Sequence, residues 1–128
     1  MQKFLIDTDV LVDFFHDAKY AKELIAQLAG RGLLFISILT ITELRTGFTE
    51  KQAEFFLPTL YRMVTVVNLT TKIAELAGKF RFGYRIKGKI LSTVDTLIAA
   101  TAITNNYQLV TRNKRDYPMA ELRFYSSN

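Results

Sequence analysis

Acidic side chains occur at four separated places in a sequence whose formal net charge is +5. Asp7 directly follows the apolar residues 4–6, and Glu43, Asp95 and Asp116 stand in three later segments. Carboxylates beside a buried strand cost folding free energy unless something offsets their charge. Oxygen ligands without cysteine or clustered histidine suit hard cations such as Mg²⁺ or Mn²⁺, which activate water and stabilise charge on a phosphoryl oxygen. If the four acids meet in the fold, they indicate metal-assisted phosphoryl transfer.

The elements that must position these acids alternate along the chain between short strand-like and longer helical stretches. This alternation predicts an α/β fold with a central, mostly parallel five-stranded sheet flanked by helices. The predicted strands are residues 2–6, 33–37, 64–68, 108–111 and 123–126. With 128 residues, 49% of them hydrophobic, the chain is expected to form one domain over residues 1–128.

The carboxyl edge of that sheet is where the acids are expected to meet. Asp7 closes the first strand, and Glu43 is predicted in the first turn of the helix that follows the second strand. Asp95 is predicted in the first turn of the helix that leads back into strand 108–111, and Asp116 comes shortly after that strand. Open α/β sheets bind their ligands at this edge.

Each acid also has a structural explanation. Thr40 with Glu43, and Ser92 with Asp95, have the spacing of a capping box, and Asp116 fits a simple turn. Together the acids are harder to explain, because two like charges about 6 Å apart repel by roughly 3 kcal/mol at an effective dielectric near 20. The set therefore favours a bound cation.

Composition excludes several classes of function. The chain has no cysteine and one histidine, His16, so thiolate sites and a zinc cluster of histidines are excluded. The longest apolar run, residues 33–39, is too short to cross a bilayer, so no membrane helix is predicted. Asp7 and Asp9 interrupt what would be the apolar region of a signal peptide, so a cytoplasmic location is expected. The positive charge favours a polyanionic partner, nucleic acid first.

Four sequence pieces occur in order over almost the whole chain: FLIDTDVLVD, ITELRTG, VDTLIAATAITNNYQLVT and TRNKRDY. In these pieces the sequence resembles the PIN-domain nuclease family and, within it, the VapC-type toxins of toxin–antitoxin pairs. The resemblance implies a PIN-like three-layer sandwich and a Mg²⁺- or Mn²⁺-dependent endoribonuclease that cleaves RNA. It also implies a homodimer held inactive by a cognate antitoxin.

The same resemblance implies residue roles. The catalytic and metal-binding acids would be Asp7, Glu43, Asp95 and Asp116. Side chains that orient carboxylates or water would be Thr8, Thr111 and Asn113. Asp9 is predicted as a helix-start acid rather than a ligand. Tyr117 stands where the family often has Phe, and we predict that this difference leaves the chemistry untouched.

A basic and aromatic segment, GKFRFGYRIKGK, precedes Asp95 and is the predicted contact for RNA. The predicted RNA-binding cations are Lys79, Arg81, Arg85, Lys87 and, beyond the segment, Arg112. Its aromatic side chains fit core packing slightly better than base stacking.

Two other interpretations stay open at this point. The D-T-D at residues 7–9 also resembles the opening motif of haloacid-dehalogenase-like phosphatases, in which the first Asp is a covalent nucleophile, although that family's lysine before an acidic pair has no match near residues 111–116. The other is a non-catalytic RNA- or protein-binding module on the same fold.

Overall fold

Strands and helices alternate along residues 1–126, the part of the chain that the computed structural model describes. Residues 127 and 128 of the predicted domain lie outside this range. The elements, in chain order, are β1 (Gln2–Ile6), α1 (Thr8–Phe15), α2 (Lys19–Ala29), β2 (Gly32–Ser37), α3 (Ile38–Gly47), α4 (Glu50–Met63), β3 (Thr65–Val67), α5 (Thr71–Ile86), α6 (Thr93–Asn105) and β4 (Gln108–Val110), followed by a 3-10 turn at Lys114–Asp116.

The sheet is parallel and its strand order is β3-β2-β1-β4. The chain moves outward from β1 to β2 and β3, then crosses back to place β4 on the other side of β1. The strand order therefore reverses between β1 and β4, which is the kind of position where α/β sheets bind ligands. Pairing of β1 with β2 also needs Gly32, because a Cβ at that residue would lie 2.0 Å from the carbonyl oxygen of Gln2.

The sheet confirms the predicted α/β class but has four strands in the described chain, not five. The predicted fifth strand, residues 123–126, makes a single parallel bridge between Phe124 and Leu109. Its backbone bonds include two to Leu109, whose amide donates to Arg123 O and whose carbonyl accepts from Tyr125 N. All three residues of β4 pair with β1, but only its middle residue, Leu109, forms a bridge with the segment 123–126. The segment therefore does not form a fifth strand.

Two separate clusters of buried side chains lie on opposite faces of the sheet. Phe4 and Ile6 of β1 pack into one cluster with side chains of α1 to α4, whereas Leu5 packs into the other with Ile98 and Ala99 of α6. The alternation along β1 is the period of two expected for a strand covered on both sides. Helices therefore flank the sheet as a three-layer sandwich, as predicted.

Side-chain caps set where the helices that carry the acids begin. Ser92 accepts from the amide of Asp95 at 3.0 Å, so the predicted start of α6 is confirmed. The prediction for α3 is wrong by one turn: Ser37, not Thr40, caps this helix, and Thr40 is fully buried inside it. Glu43 therefore lies in the second turn, and no capping box with Thr40 forms.

Within residues 1–126, no helix is both long and apolar enough to span a membrane.

Candidate active site

Asp7 stands where β1 ends and α1 begins, and its carboxylate is only 8% exposed. Its Oδ1 accepts from the Thr8 amide at 2.9 Å, and its Oδ2 accepts from the hydroxyls of Thr111 at 2.8 Å and Tyr117 at 2.7 Å. Burial raises the pKa of Asp7 to about 6, and the neighbouring charge of Asp9 adds to the rise while the three hydrogen bonds oppose it. The structure thus holds a carboxylate that is costly to ionise.

Asp95, in the first turn of α6, lies near the same tyrosine as Asp7. Its Oδ1 lies 3.4 Å from the Tyr117 hydroxyl, so a single phenol contacts both Asp95 and Asp7. Burial raises the pKa of Asp95, and the charges of Asp116 and Glu43 raise it further. Asp95 therefore lies within electrostatic reach of Asp116 and Glu43, and Tyr117 connects it to Asp7.

Glu43 reaches the rim from the second turn of α3. The Thr8 hydroxyl donates to its Oε1 at 2.5 Å and lies 3.1 Å from the hydroxyl of buried Thr40. Thr8 therefore contacts both the Glu43 carboxylate and the buried Thr40 hydroxyl, and its role in orienting the carboxylate stays a prediction.

The sequence predicted Asp9 only as an acid at the start of a helix. In the structure it also contacts the loop after β4. Its Oδ2 accepts from the Arg112 amide at 3.1 Å and from Asn113 Nδ2 at 2.9 Å, and it lies 3.3 Å from the Thr111 hydroxyl. Its Oδ1 is buried and has no hydrogen-bond partner in the described part of the chain. Asp9 thus ties α1 to the loop that carries Asp116, and Asn113 orients Asp9 rather than one of the four predicted acids.

Cationic side chains do not neutralise the acid group. The ion pairs found within residues 1–126 join Lys19 to Glu23, Lys22 to Asp17, Arg45 to Glu50 and Arg112 to Asp13. None involves Asp7, Glu43, Asp95 or Asp116. Carboxylates at one edge of a sheet without a basic partner fit a hard cation.

The acids do not converge on a single point in the structure. Across residues 1–126, no three acidic or histidine side chains have the arrangement of a formed metal site. Hydroxyls contact three of the acids: Thr8 donates to Glu43, Thr111 donates to Asp7, and Tyr117 contacts both Asp7 and Asp95.

A sequence profile described as the PIN domain matches residues 4–124. The chain belongs to the PIN-domain family. Its PIN domain is similar to Ribonuclease VapC19 of Mycobacterium tuberculosis, with 34% identity covering 90% of this chain and 92% of that protein. It is also similar to Ribonuclease VapC1 of Methanocaldococcus jannaschii, with 31% identity covering 90% of this chain and 79% of that protein.

Solved structures show the same fold. The chain of a VapBC2 crystal structure from Rickettsia felis, bound to a promoter DNA fragment, superposes with a TM-score of 0.86 at 22% identity, covering 99% of this chain and 100% of that one. A toxin–antitoxin complex from Klebsiella pneumoniae matches with a TM-score of 0.75 at 28% identity, covering 92% and 93% of the two chains. The family assignment also removes the basis for the phosphatase interpretation.

The basic segment of the PIN domain divides into buried and exposed side chains. Phe80 and Tyr84 pack against the α6 side of the core, whereas Phe82 is 56% exposed and stacks with the guanidinium of Arg85 at 5.6 Å. Arg81 and Arg85 line a cleft of about 380 Å³ with Phe82 and Ile90. Lys79 and Lys87 line a neighbouring cleft of about 270 Å³.

Arg112 is placed differently from the other predicted RNA-binding cations of the PIN domain. Its guanidinium donates to Asp13 Oδ2 at 2.7 Å. A phosphate would have to compete with that carboxylate, so the sequence-based expectation for Arg112 is the weakest of the set.

Tyr117 is the site residue whose role the sequence did not reveal. That Tyr in place of Phe leaves the chemistry untouched stays a prediction, but the added hydroxyl contacts both Asp7 and Asp95. The only signal in the sequence was the hydroxyl of an aromatic residue directly after Asp116.

Proposed function

We propose that this protein is a Mg²⁺- or Mn²⁺-dependent endoribonuclease that cleaves RNA phosphodiester bonds, and that it is the toxin of a toxin–antitoxin pair acting in the cytoplasm. The proposal is supported by relatives named VapC ribonucleases that align over most of both chains. It is also supported by the fold shared with chains from toxin–antitoxin complexes.

The observation that carries the proposal is the contact of one buried hydroxyl, that of Tyr117, with two carboxylates from separate elements, Asp7 and Asp95. Both acids lie at the carboxyl edge of the sheet, and neither has a cationic partner in residues 1–126. A divalent ion is the simplest partner that offsets such a pair at the neutral pH where an RNA backbone remains anionic.

In this proposal, Asp7 and Asp95 hold the ion, and Glu43 and Asp116 hold it through water or hold a second ion. When bound, the ion activates water and stabilises charge on the phosphoryl oxygen. The protein supplies orientation: Thr111 and Tyr117 hold Asp7, Thr8 holds Glu43, and Asp9 anchors the loop that bears Asp116. Such outer contacts tune metal sites strongly.

We also propose where RNA is gripped and what controls the enzyme. Arg81 and Arg85 are placed to meet phosphates while exposed Phe82 offers a stacking face, which is a combination suited to single strands. A cognate antitoxin is part of the proposal, because structures of similar fold come from complexes of toxin with antitoxin. A homodimer is part of it too, as the resemblance to VapC-type toxins implies.

The proposal is tested by incubating the purified protein with labelled RNA in Mg²⁺, in Mn²⁺ and in excess chelator. We expect cleavage only with metal, and we expect Asp95→Asn to abolish it while the thermal unfolding curve stays cooperative. Asp17→Asn is the matched control, because Asp17 is exposed and paired with Lys22. Full cleavage in chelator would refute the metal role.

A further inference from the structure

A cleft of about 640 Å³ lies at the edge of the sheet opposite the acids. We call it the amino-edge cleft because it surrounds the starts of β1 and β4 and the residue before β2. Its lining residues are Met1, Gln2, Lys3, Arg31, Asn105, Asn106, Gln108 and Arg123. Its size is within the usual range of ligand sites in proteins.

The charge of the amino-edge cleft has one sign. Lys3, Arg31 and Arg123 contribute positive charge, and no Asp or Glu lines it. Within residues 1–126 none of these three cations takes part in an ion pair. Concave surfaces lined by one sign of charge concentrate the opposite ion, so this cleft attracts anions.

The two guanidinium groups are held in place by neutral partners. Arg31 Nη1 donates to the Tyr125 hydroxyl at 3.1 Å, and its guanidinium lies 5.9 Å from the centre of the Tyr125 ring. Arg123 Nη2 donates to the carbonyl oxygen of Asn106 at 3.1 Å and to its Oδ1 at 2.9 Å. Both arginines are therefore oriented without losing their charge, and their remaining N–H groups can bind phosphate in the forked geometry that arginine favours.

We propose that the amino-edge cleft binds backbone phosphates of the RNA substrate, as a second contact remote from the acids. The inference rests on the proposed function, which supplies a phosphodiester polyanion as ligand. Amide side chains such as those of Gln2 and Gln108, joined at 3.0 Å, add donors and acceptors suited to ribose and base edges. The five residues of β1 span roughly 17 Å, so only an RNA of several nucleotides can contact both edges of the sheet.

The test compares RNA binding by two double variants in the inactive Asp95→Asn background. The probe is a single-stranded RNA of about 20 nucleotides, and anisotropy is measured over a series of salt concentrations. Arg31→Gln/Arg123→Gln should weaken binding by about tenfold. It should also lower the slope of log affinity against log salt by about 1.4, because two phosphate contacts are lost.

Lys51→Gln/Arg62→Gln is the charge-matched control, since both residues are exposed on α4. This control should change affinity by less than about threefold and leave the slope nearly unchanged. In otherwise native protein, the cleft variant should raise KM for the same RNA while kcat stays within about twofold. Equal weakening by both double variants, or none by either, overturns the proposal.

Lys3→Gln is a second variant in case the double variant unfolds. Its side chain is exposed, and it should lower the salt slope by about 0.7. An unchanged slope in this variant also counts against the cleft. Failure of the proposed function would be distinguishable from failure of the cleft proposal, because the native protein would then show no metal-dependent RNA cleavage.

Discussion

The hydroxyl of Tyr117 lies 2.7 Å from Oδ2 of Asp7 at the rim where the candidate acids meet. The tyrosine is 3% exposed, and its burial and the charge of Asp7 both raise the pKa of Tyr117. The phenol therefore keeps its proton and donates a hydrogen bond to the carboxylate. A neutral donor stabilises here an acid that has no cationic partner in residues 1–126.

Tyr117→Phe should destabilise the metal-free protein by about 2 kcal/mol, because it removes a hydrogen bond to a buried charged group. The loss should shrink in saturating Mg²⁺, when an ion compensates the same carboxylate. Urea unfolding in chelator and in Mg²⁺ measures both values. Tyr61→Phe is the control, because Tyr61 is 48% exposed, and its effect should stay within about 0.5 kcal/mol. Equal losses with and without Mg²⁺ would contradict the link between Tyr117 and the ion.

Asp7→Asn should stabilise the metal-free protein at neutral pH. The pKa of Asp7 rises from 3.8 to about 6 on folding, so between these values the folded state binds more protons than the unfolded state. Stability therefore falls as pH rises through this window and is constant above it. The variant removes this loss, which amounts to up to about 3 kcal/mol.

Urea unfolding in chelator checks the Asp7→Asn prediction at several pH values. The gain should be full above about pH 7 and should disappear below about pH 3, where the native carboxyl is largely protonated in both states. A gain that does not vary with pH would mean that the effect comes from packing or capping and not from ionisation.

Asp9→Ala should loosen the loop that carries Asp116, because it removes the acceptor for the Arg112 amide and the Asn113 side chain. Trypsin should then cut after Arg112, Lys114 or Arg115 at least about tenfold faster, since the anchoring hydrogen bonds are each worth about 1 to 3 kcal/mol. Glu23→Ala, which breaks only an exposed ion pair, should leave the cutting rate unchanged. An unchanged rate in Asp9→Ala would show that the loop is held by other contacts.

Two glycine substitutions should change stability in opposite directions. Gly32→Ala forces a methyl group against the Gln2 carbonyl and should cost about 3 kcal/mol, because β1 and β2 must separate there. Gly78→Ala meets no atom within 4 Å inside α5 and should stabilise the protein by about 1 kcal/mol. Thermal unfolding of both variants tests the pair, and a stable Gly32→Ala protein would contradict the described pairing of β1 with β2.

Much of the fold and the approximate place of the site could be predicted because strand ends are visible in the sequence. The stretch at residues 2–6 ends sharply at Asp7, and the spacing of Ser92 and Asp95 marks the start of α6 correctly. Strand ends and caps are local signals, and in a parallel sheet they are enough to bring the acids to one edge.

What could not be predicted depends on contacts between distant residues. The T-x-x-E spacing at Thr40 is local too, but packing against Thr8 buries that hydroxyl and leaves the capping to Ser37. The role of Tyr117 depends on how the loop after β4 turns back toward β1. No sequence pattern encodes a contact across 110 positions.

The position of β1 between two partners has a consequence for hydrogen exchange. The amide of Asp7 donates to Val110 O at 2.9 Å, which continues the pairing of β1 with β4 into the site itself. Releasing that amide requires the central strand to leave a neighbour, so it should exchange with solvent deuterium only in the rarest openings of the chain. Asp7, the buried acid, is thus attached to the part of the sheet that should open most slowly. Motions of the surface that admit RNA therefore need not disturb Asp7.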